Sequence, residues 1–235
     1  MTNGWEESAA AWIAEMGETG DWSRRHVLDA PMLARARAGA FRDALDVGCG
    51  EGRFSRMLQA AGLRSVGVDP SARMIASARA RDPAGDYRIG AAEALGFPDG
   101  AFDLVVSYLT LIDIAGLDSA VAEMARVLKP GGALLVANLN SFFTAGPPEG
   151  WSRNAADEPT FCIDRYLEER VEWISWAGLR VQNWHRPLSR YMSAFLAAGL
   201  RLEHFDEPRP EGADPKKTAH YERVPLFVVM EWRKP

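Results

Sequence analysis

Ala44-Leu45-Asp46-Val47-Gly48-Cys49-Gly50-Glu51-Gly52-Arg53-Phe54 is the stretch whose reading decides the fold. Its first four residues make a short apolar run stopped by glycine. Over residues 54–61 the apolar positions recur at helical spacing until Gly62 ends the pattern. A strand, a glycine turn and a helix in that order place backbone N–H groups at a helix N-terminus, where a ligand approaches closely. The turn reads Gly48-x-Gly50-x-Gly52. Dinucleotide folds use G-x-G-x-x-G, and here Arg53 follows Gly52, so that fingerprint is not met. Asp46 stands just ahead of the first glycine. A carboxylate there repels a pyrophosphate and suits a ligand that carries an ammonium group.

Working outward, Ser65-Val66-Gly67-Val68-Asp69 reads as a second strand stopped by Pro70, with Asp69 lying 21 positions after Gly48. A doubly wound fold holds ribose hydroxyls with an acid at that place. Ser71 is a good N-cap for a helix over residues 71–81. Residues 87–89 form a brief strand and 102–107 a buried one. A helix over 117–128 ends at Lys129-Pro130-Gly131-Gly132, and a fifth strand covers 133–138. Strands alternating with helices predict an α/β fold, a doubly wound, mostly parallel sheet with helices on both faces.

Either side of this core the rhythm differs. Residues 5–16 carry Trp5, Ala9, Trp12, Ile13 and Met16 at helical spacing, and a second helix is expected over 31–40 with Pro31 in its first turn. Residues 141–159 are loop-like, and 168–184 form an aromatic-rich stretch of strand character. A helix over 188–198, a strand over 200–205, a polar loop containing Lys216 and Lys217, and a last strand over 224–232 complete the chain. The expected organisation is a single domain over residues 1–235. It comprises a helical cap at 1–40, a cofactor-binding core at 41–140, an acceptor-side insertion at 141–185 and the rest of the sheet at 186–235.

The chain has 235 residues, 47% hydrophobic and 25% charged, enough for one domain with a full core. A net charge of −5 without a basic face argues against a nucleic-acid partner. Cys49 and Cys162 are too few for a disulfide framework and lack metal-ligand spacing, so no metal is expected. The acidic start at Asn3, Glu6 and Glu7 is unlike a secretory leader, and no apolar run is long enough for a bilayer. A cytoplasmic protein with no membrane partner is expected.

The stretch at 44–54 resembles the first motif of class I S-adenosylmethionine-dependent methyltransferases of the small-molecule type. Val66-Gly67-Val68-Asp69-Pro70-Ser71 resembles their second motif. Residues 92–107, from Ala92-Glu93 to Ser107, resemble the segment entering their fourth strand. Val127-Leu128-Lys129-Pro130-Gly131-Gly132 resembles the turn before their fifth. The likeness covers about residues 41–140 and implies S-adenosylmethionine as cofactor. It also implies a seven-stranded sheet whose last strand is antiparallel. By that resemblance Asp46 and the backbone of Gly48, Cys49, Gly50 and Gly52, with Phe54 beyond them, hold the methionine end. Asp69 and Pro70 flank the ribose, Met74 packs on the adenine, and Ala92 and Glu93 flank its edge. Relatives often carry an acid where this chain has Ala91. Ser107 ends the fourth strand at the same edge. Relatives also fold an N-terminal segment over the cofactor, which makes Arg24 and above all Arg25 candidates for the methionine carboxylate.

Methyl transfer from a sulfonium needs mainly alignment and exclusion of water, which together supply about 7–11 kcal/mol. A base is required only when the acceptor must lose a proton. Ligands of open α/β sheets sit at the C-terminal ends of the strands, the edge that carries Tyr108, Asp113, Asn138, Asn140 and Ser141. His185, just before the helix over 188–198, is the leading candidate base, and Tyr108 is the next. Asp113 is a candidate for orienting an amine. Trp5, Trp12, Trp22, Trp151, Trp173, Trp176 and Trp184 all fall outside the core, in regions that border the acceptor side, and suit a partly apolar or aromatic small acceptor. Two other functions fit the glycine turn: a non-catalytic S-adenosylmethionine binder, and a nicotinamide-dependent oxidoreductase, against which Asp46 and the glycine spacing argue.

Overall fold

The computed structural model describes residues 3–146, 150–212 and 214–235. It opens with helix α1 (Trp5–Met16), a π-helical turn (Arg24–Leu28) and α2 (Asp29–Ala38). The alternating core follows as β1 (Asp43–Val47), α3 (Arg53–Ala60), β2 (Arg64–Asp69), α4 (Ala72–Arg81), β3 (Asp86–Ile89), β4 (Phe102–Tyr108), α5 (Leu117–Val127) and β5 (Leu128–Leu139). Then come α6 (Ser141–Thr144), the hairpin β6 (Trp151–Arg153) and β7 (Pro159–Phe161), and the hairpin β8 (Arg170–Trp176) and β9 (Leu179–His185). The chain closes with α7 (Leu188–Ala197), β10 (Arg201–Asp206), α8 (Pro215–Arg223) and β11 (Phe227–Arg233).

Seven strands form one sheet in the order β10-β11-β5-β4-β1-β2-β3. The pairs within β3-β2-β1-β4-β5 are parallel, and β11 runs antiparallel to both β5 and β10. The expected α/β architecture is therefore present, with the last strand reversed as the resemblance implied. Alternation along β4 explains the two layers. Leu104 and Val106 turn to one face, where they meet Leu28, Met32, Phe54 and Leu58; Val105 turns to the other, with Val121, Met124, Phe195 and Trp232. The order reverses between β1 and β4, which opens a crevice beyond their carboxyl ends.

The strand character expected over residues 168–184 takes the form of an antiparallel hairpin, because Ala177 (φ 46°) and Gly178 (φ 82°) reverse the chain between Trp176 and Leu179. The stretch read as a polar loop near the C-terminus differs from the sequence reading. The polar stretch with Lys216 and Lys217 is helix α8, capped by the Asp214 carboxylate on the Lys216 amide and begun at Pro215. Residues 147–149 of the loop read over 141–159 lie outside the described residues. The β8–β9 hairpin stands apart from the main sheet and packs β9 on α1; the Trp184 amide donates to the Ile112 carbonyl at 2.6 Å. Among the described residues no helix is long and apolar enough to cross a membrane.

Candidate active site

A cavity of about 480 Å³ lies over the carboxyl ends of β1, β2 and β4, under α1 and β9. That is within the roughly 300–1,000 Å³ common for small-molecule sites. Its floor is the glycine turn. Gly48, Gly50 and Gly52 all have φ between 55° and 81°, which side-chain-bearing residues rarely adopt. A Cβ on Gly48 would stand 2.1 Å from Thr110 Cγ2, so only glycine lets these two segments touch.

Two carboxylates frame that turn, Asp46 buried and Asp69 partly buried. Asp69 accepts the Gly50 amide on one oxygen and the Ser71 amide on the other, both at 2.9 Å, which ties the turn to the end of β2. Burial pushes its carboxyl up to about 6, against the pull of those two amides. Asp46, 1% exposed, accepts the Ser55 hydroxyl at 2.7 Å. Burial raises it to about 7, and nearby Asp69 adds to the rise that Ser55 opposes. Neither carboxylate has an ion-pair partner among the described residues. A cation or hydroxyl donors in the cavity would stabilise their charged forms further. Glu51 beside them is different, because Arg56 and Arg81 neutralise it.

Most of the predicted cofactor residues meet here: Asp46, Gly48, Cys49, Gly50, Phe54, Asp69, Pro70, Met74, Ala92 and Glu93 all line the cavity. Glu93 also accepts the Gly116 amide at 3.3 Å. Gly52 does not line it but precedes α3 as its N-cap, where a Cβ would meet the Tyr87 ring. Ser107 is fully buried inside β4, facing the core rather than the cavity.

Three candidates are corrected. Arg25 is exposed, with its guanidinium reaching only the Asp21 carbonyl at 3.4 Å; Arg24 lines the cavity instead. The π-helical turn that begins at Arg24 aims it inward over the rings of Trp12 (4.8 Å) and Tyr108 (5.7 Å). His185 does not line the cavity. Its Nε2 faces the Tyr166 carbonyl at 2.9 Å, so that nitrogen must donate, and Nδ1 is held by the Thr144 hydroxyl at 2.7 Å. Both ring nitrogens are engaged, and burial lowers its pKa, which favours the neutral ring. Tyr108 does line the cavity, yet its hydroxyl donates to Asp29 at 2.8 Å, in a carboxylate already clamped by Arg53. Burial and that carboxylate push the phenol well up, which denies it service as a base.

Of the tryptophans, Trp5, Trp12 and Trp184 wall the cavity. Trp173 and Trp176 are partly exposed on the hairpin, and Trp22 and Trp151 pack against Tyr221 and Phe161 elsewhere. Asp113 completes the wall. Asn183 donates to one of its oxygens at 2.6 Å. Burial drives its pKa far above the usual range, with Asp69 adding to the rise and Trp5, Asn183 and Arg24 opposing it.

This arrangement has clear counterparts. The profile of the methyltransferase-domain family matches residues 45–136. A Mycolicibacterium smegmatis protein named as a probable S-adenosylmethionine-dependent methyltransferase is 32% identical over 189 residues, 80% of this chain and 68% of the relative. The chain belongs to the S-adenosylmethionine-dependent methyltransferases. The malonyl-[acyl-carrier protein] O-methyltransferase of Enterobacter lignolyticus is 32% identical to this methyltransferase over 183 residues, 76% of this chain and 72% of the relative. An S-adenosylmethionine-dependent methyltransferase of Mesorhizobium loti superposes with a TM-score of 0.78 at 27% identity, covering 92% of this methyltransferase and all of that chain. The cosubstrate is therefore S-adenosylmethionine, and the carboxylates of Asp46 and Asp69, which lack ion-pair partners among the described residues, fit its ammonium and ribose.

Proposed function

We propose that this methyltransferase acts on a small, partly apolar or aromatic acceptor held against Trp5, Trp12 and Trp184. The supporting observation is the composition of the cavity: a glycine turn and two unpaired carboxylates on one side, indole walls on the other. S-adenosylmethionine supplies a methyl carbon activated by a sulfonium. In this reading Asp46 faces the ammonium group and Arg24 pairs with the carboxylate, both as charge-assisted contacts. Asp69, already holding Gly50 and Ser71, has lone pairs left for the two ribose hydroxyls. Met74 and Pro70 pack on the purine, and Glu93 stands at its edge. The chain's own task is then alignment and exclusion of water, which α1 and β9 perform by closing over the cavity.

The test is a calorimetric titration with S-adenosylhomocysteine, alongside NAD and NADP. Tight binding of S-adenosylhomocysteine, weakened at least tenfold by Arg24→Ala and Asp69→Ala, is the expected result. Binding that survives both substitutions overturns the placement of the cofactor. Turnover is then read as S-adenosylhomocysteine released on adding small acceptors, and none with any apolar or aromatic compound contradicts the acceptor class.

A further inference from the structure

Every carboxylate of the cavity has an ion-pair partner or a place in the cofactor reading except one. Glu51 is neutralised by Arg56 and Arg81, and Glu6 by Arg73. In the reading above, the cofactor takes Asp46, Asp69 and Glu93. Asp113 remains. It belongs to no ion pair among the described residues, although it lines the same cavity. Of the two arginines of the lining, Arg53 is clamped to Asp29, and Arg24, bonded to Asp21 and assigned above to the cofactor carboxylate, acts on Asp113 through its charge without forming an ion pair with it.

The surroundings of Asp113 are specific. It sits in the loop after β4, where its amide donates to the Thr110 carbonyl at 2.9 Å, and Thr110 touches the glycine turn. Asn183 of β9 holds one oxygen. Trp5 comes from α1, and Trp184 is fixed next to it by its amide bond to Ile112. Trp5 turns its indole N–H toward Asp113, and the Trp184 ring already carries a cation, with the Arg186 guanidinium 4.6 Å from its centroid. A carboxylate among indole rings is a setting that suits an ammonium ion.

We propose that the acceptor is a small amine, bound as its ammonium ion beside Asp113 against Trp5 and Trp184, and that Asp113 takes the proton released on methylation. This rests on the cofactor placement given above. The step balances simply. The ammonium gives one proton to Asp113 and regains its lone pair. That pair forms the N–C bond to the methyl group while the C–S bond breaks, its electrons going to sulfur, which leaves as a neutral thioether. The product is the methylammonium ion, and Asp113 returns its proton to solvent.

The experiment uses the full chain with S-adenosylmethionine and three matched sets of compounds: 2-phenylethylamine and tryptamine, 4-ethylphenol, and 3-phenylpropionate. S-adenosylhomocysteine release with the amines alone is expected. The isosteric Asp113→Asn should lower kcat on the amine by about 100-fold or more, while S-adenosylhomocysteine affinity stays within threefold and the fold is intact by thermal melting. The amines should also raise the melting midpoint of the wild-type complex with S-adenosylhomocysteine, and 3-phenylpropionate should not. Turnover of the phenol or the acid but not the amines overturns the proposal, as does an Asp113→Asn enzyme with undiminished kcat. So does a complex that binds S-adenosylhomocysteine but neither binds nor methylates the amines. Failure to bind S-adenosylhomocysteine would instead overturn the cofactor placement.

Discussion

Lowering the pH from 7.5 to 5 should weaken S-adenosylhomocysteine binding by about a thousandfold. The magnitude follows from the two carboxylates at the glycine turn. Asp46 titrates near about 7 and Asp69 near about 6 in the unliganded protein. If the ligand requires both ionised, its affinity scales with the product of the two ionised fractions. At pH 7.5 about three quarters of Asp46 and nearly all of Asp69 are ionised. At pH 5 the fractions fall to about 1% and 9%, giving a ratio approaching a thousand, or about 4 kcal/mol. The ligand's own ammonium stays charged throughout. Calorimetry at half-unit intervals gives the curve. Asp69→Asn removes one of the two titrations, so its weaker binding should vary by somewhat under a hundredfold over the same range. An affinity that moves less than threefold in the wild-type chain refutes the reasoning, since neither carboxylate then needs its charge. So does a variant whose curve parallels the wild type.

The same raised pKa values act on stability. Their folded values lie above the unfolded value of 3.8, so the folded chain holds extra protons between about pH 4 and 7 and loses stability as pH rises through that window. The depressed His185 works in the opposite direction, so the clean readout is the rise in melting midpoint given by saturating S-adenosylhomocysteine, which should grow from pH 5 to 7.5. Arg24→Ala should weaken S-adenosylhomocysteine about tenfold or more, since hydrogen bonds to charged groups contribute about 1.5–3 kcal/mol; Arg25→Ala, by titration under the same conditions, should leave it unchanged. Tyr108→Phe should cost about 1 kcal/mol in denaturant unfolding, the lost bond to Asp29, and leave kcat within a few-fold. A hundredfold loss of kcat there would restore the tyrosine to the chemistry. Gly48→Ala should abolish measurable S-adenosylhomocysteine binding, because its Cβ lands on Thr110 and its φ of 74° is strained for alanine.

The core was legible because each of its signals is local. Strand β1 is apolar apart from Asp43 at its start and Asp46 near its end, and β4 sends Leu104 and Val106 into one core layer and Val105 into the other, as a strand covered on two sides demands. Glycine, proline and Ser71 punctuated the elements where they end or begin. The β8–β9 hairpin was less legible. Trp173, Ile174, Trp176, Leu179 and Val181 share the strand pattern across the turn, so only Ala177-Gly178 marked the reversal. Helix α8 carried the signal Asp214-Pro215, an N-cap followed by a first-turn proline, but its polar composition hid any apolar face.

The acceptor side resisted reading for a different reason: a candidate's direction depends on geometry that spacing does not encode. Arg24 and Arg25 are neighbours of equal chemistry, and a π-helical turn separates them into one cavity residue and one surface residue. His185 lies at the expected edge, yet Thr144 and Tyr166 occupy its nitrogens, and Tyr166 comes from the connection between the two hairpins, which no local pattern linked to it. Asp113 follows the fourth strand, a place that made it a candidate for orienting an amine but said nothing of its neighbours. Its actual partner Asn183 lies 70 positions away, so the pair exists only once β9 folds over β4's loop. The glycine turn with Asp46 and Asp69 sits on one βαβ unit, β1-α3-β2, and inherits its geometry from chain order. The residues proposed for the acceptor come from α1, the loop after β4 and β9, three segments whose meeting is a product of tertiary packing. This difference in sequence separation explains why a cofactor can be named from a motif, whereas an acceptor must be argued from the charges that remain unpaired after the chain has closed.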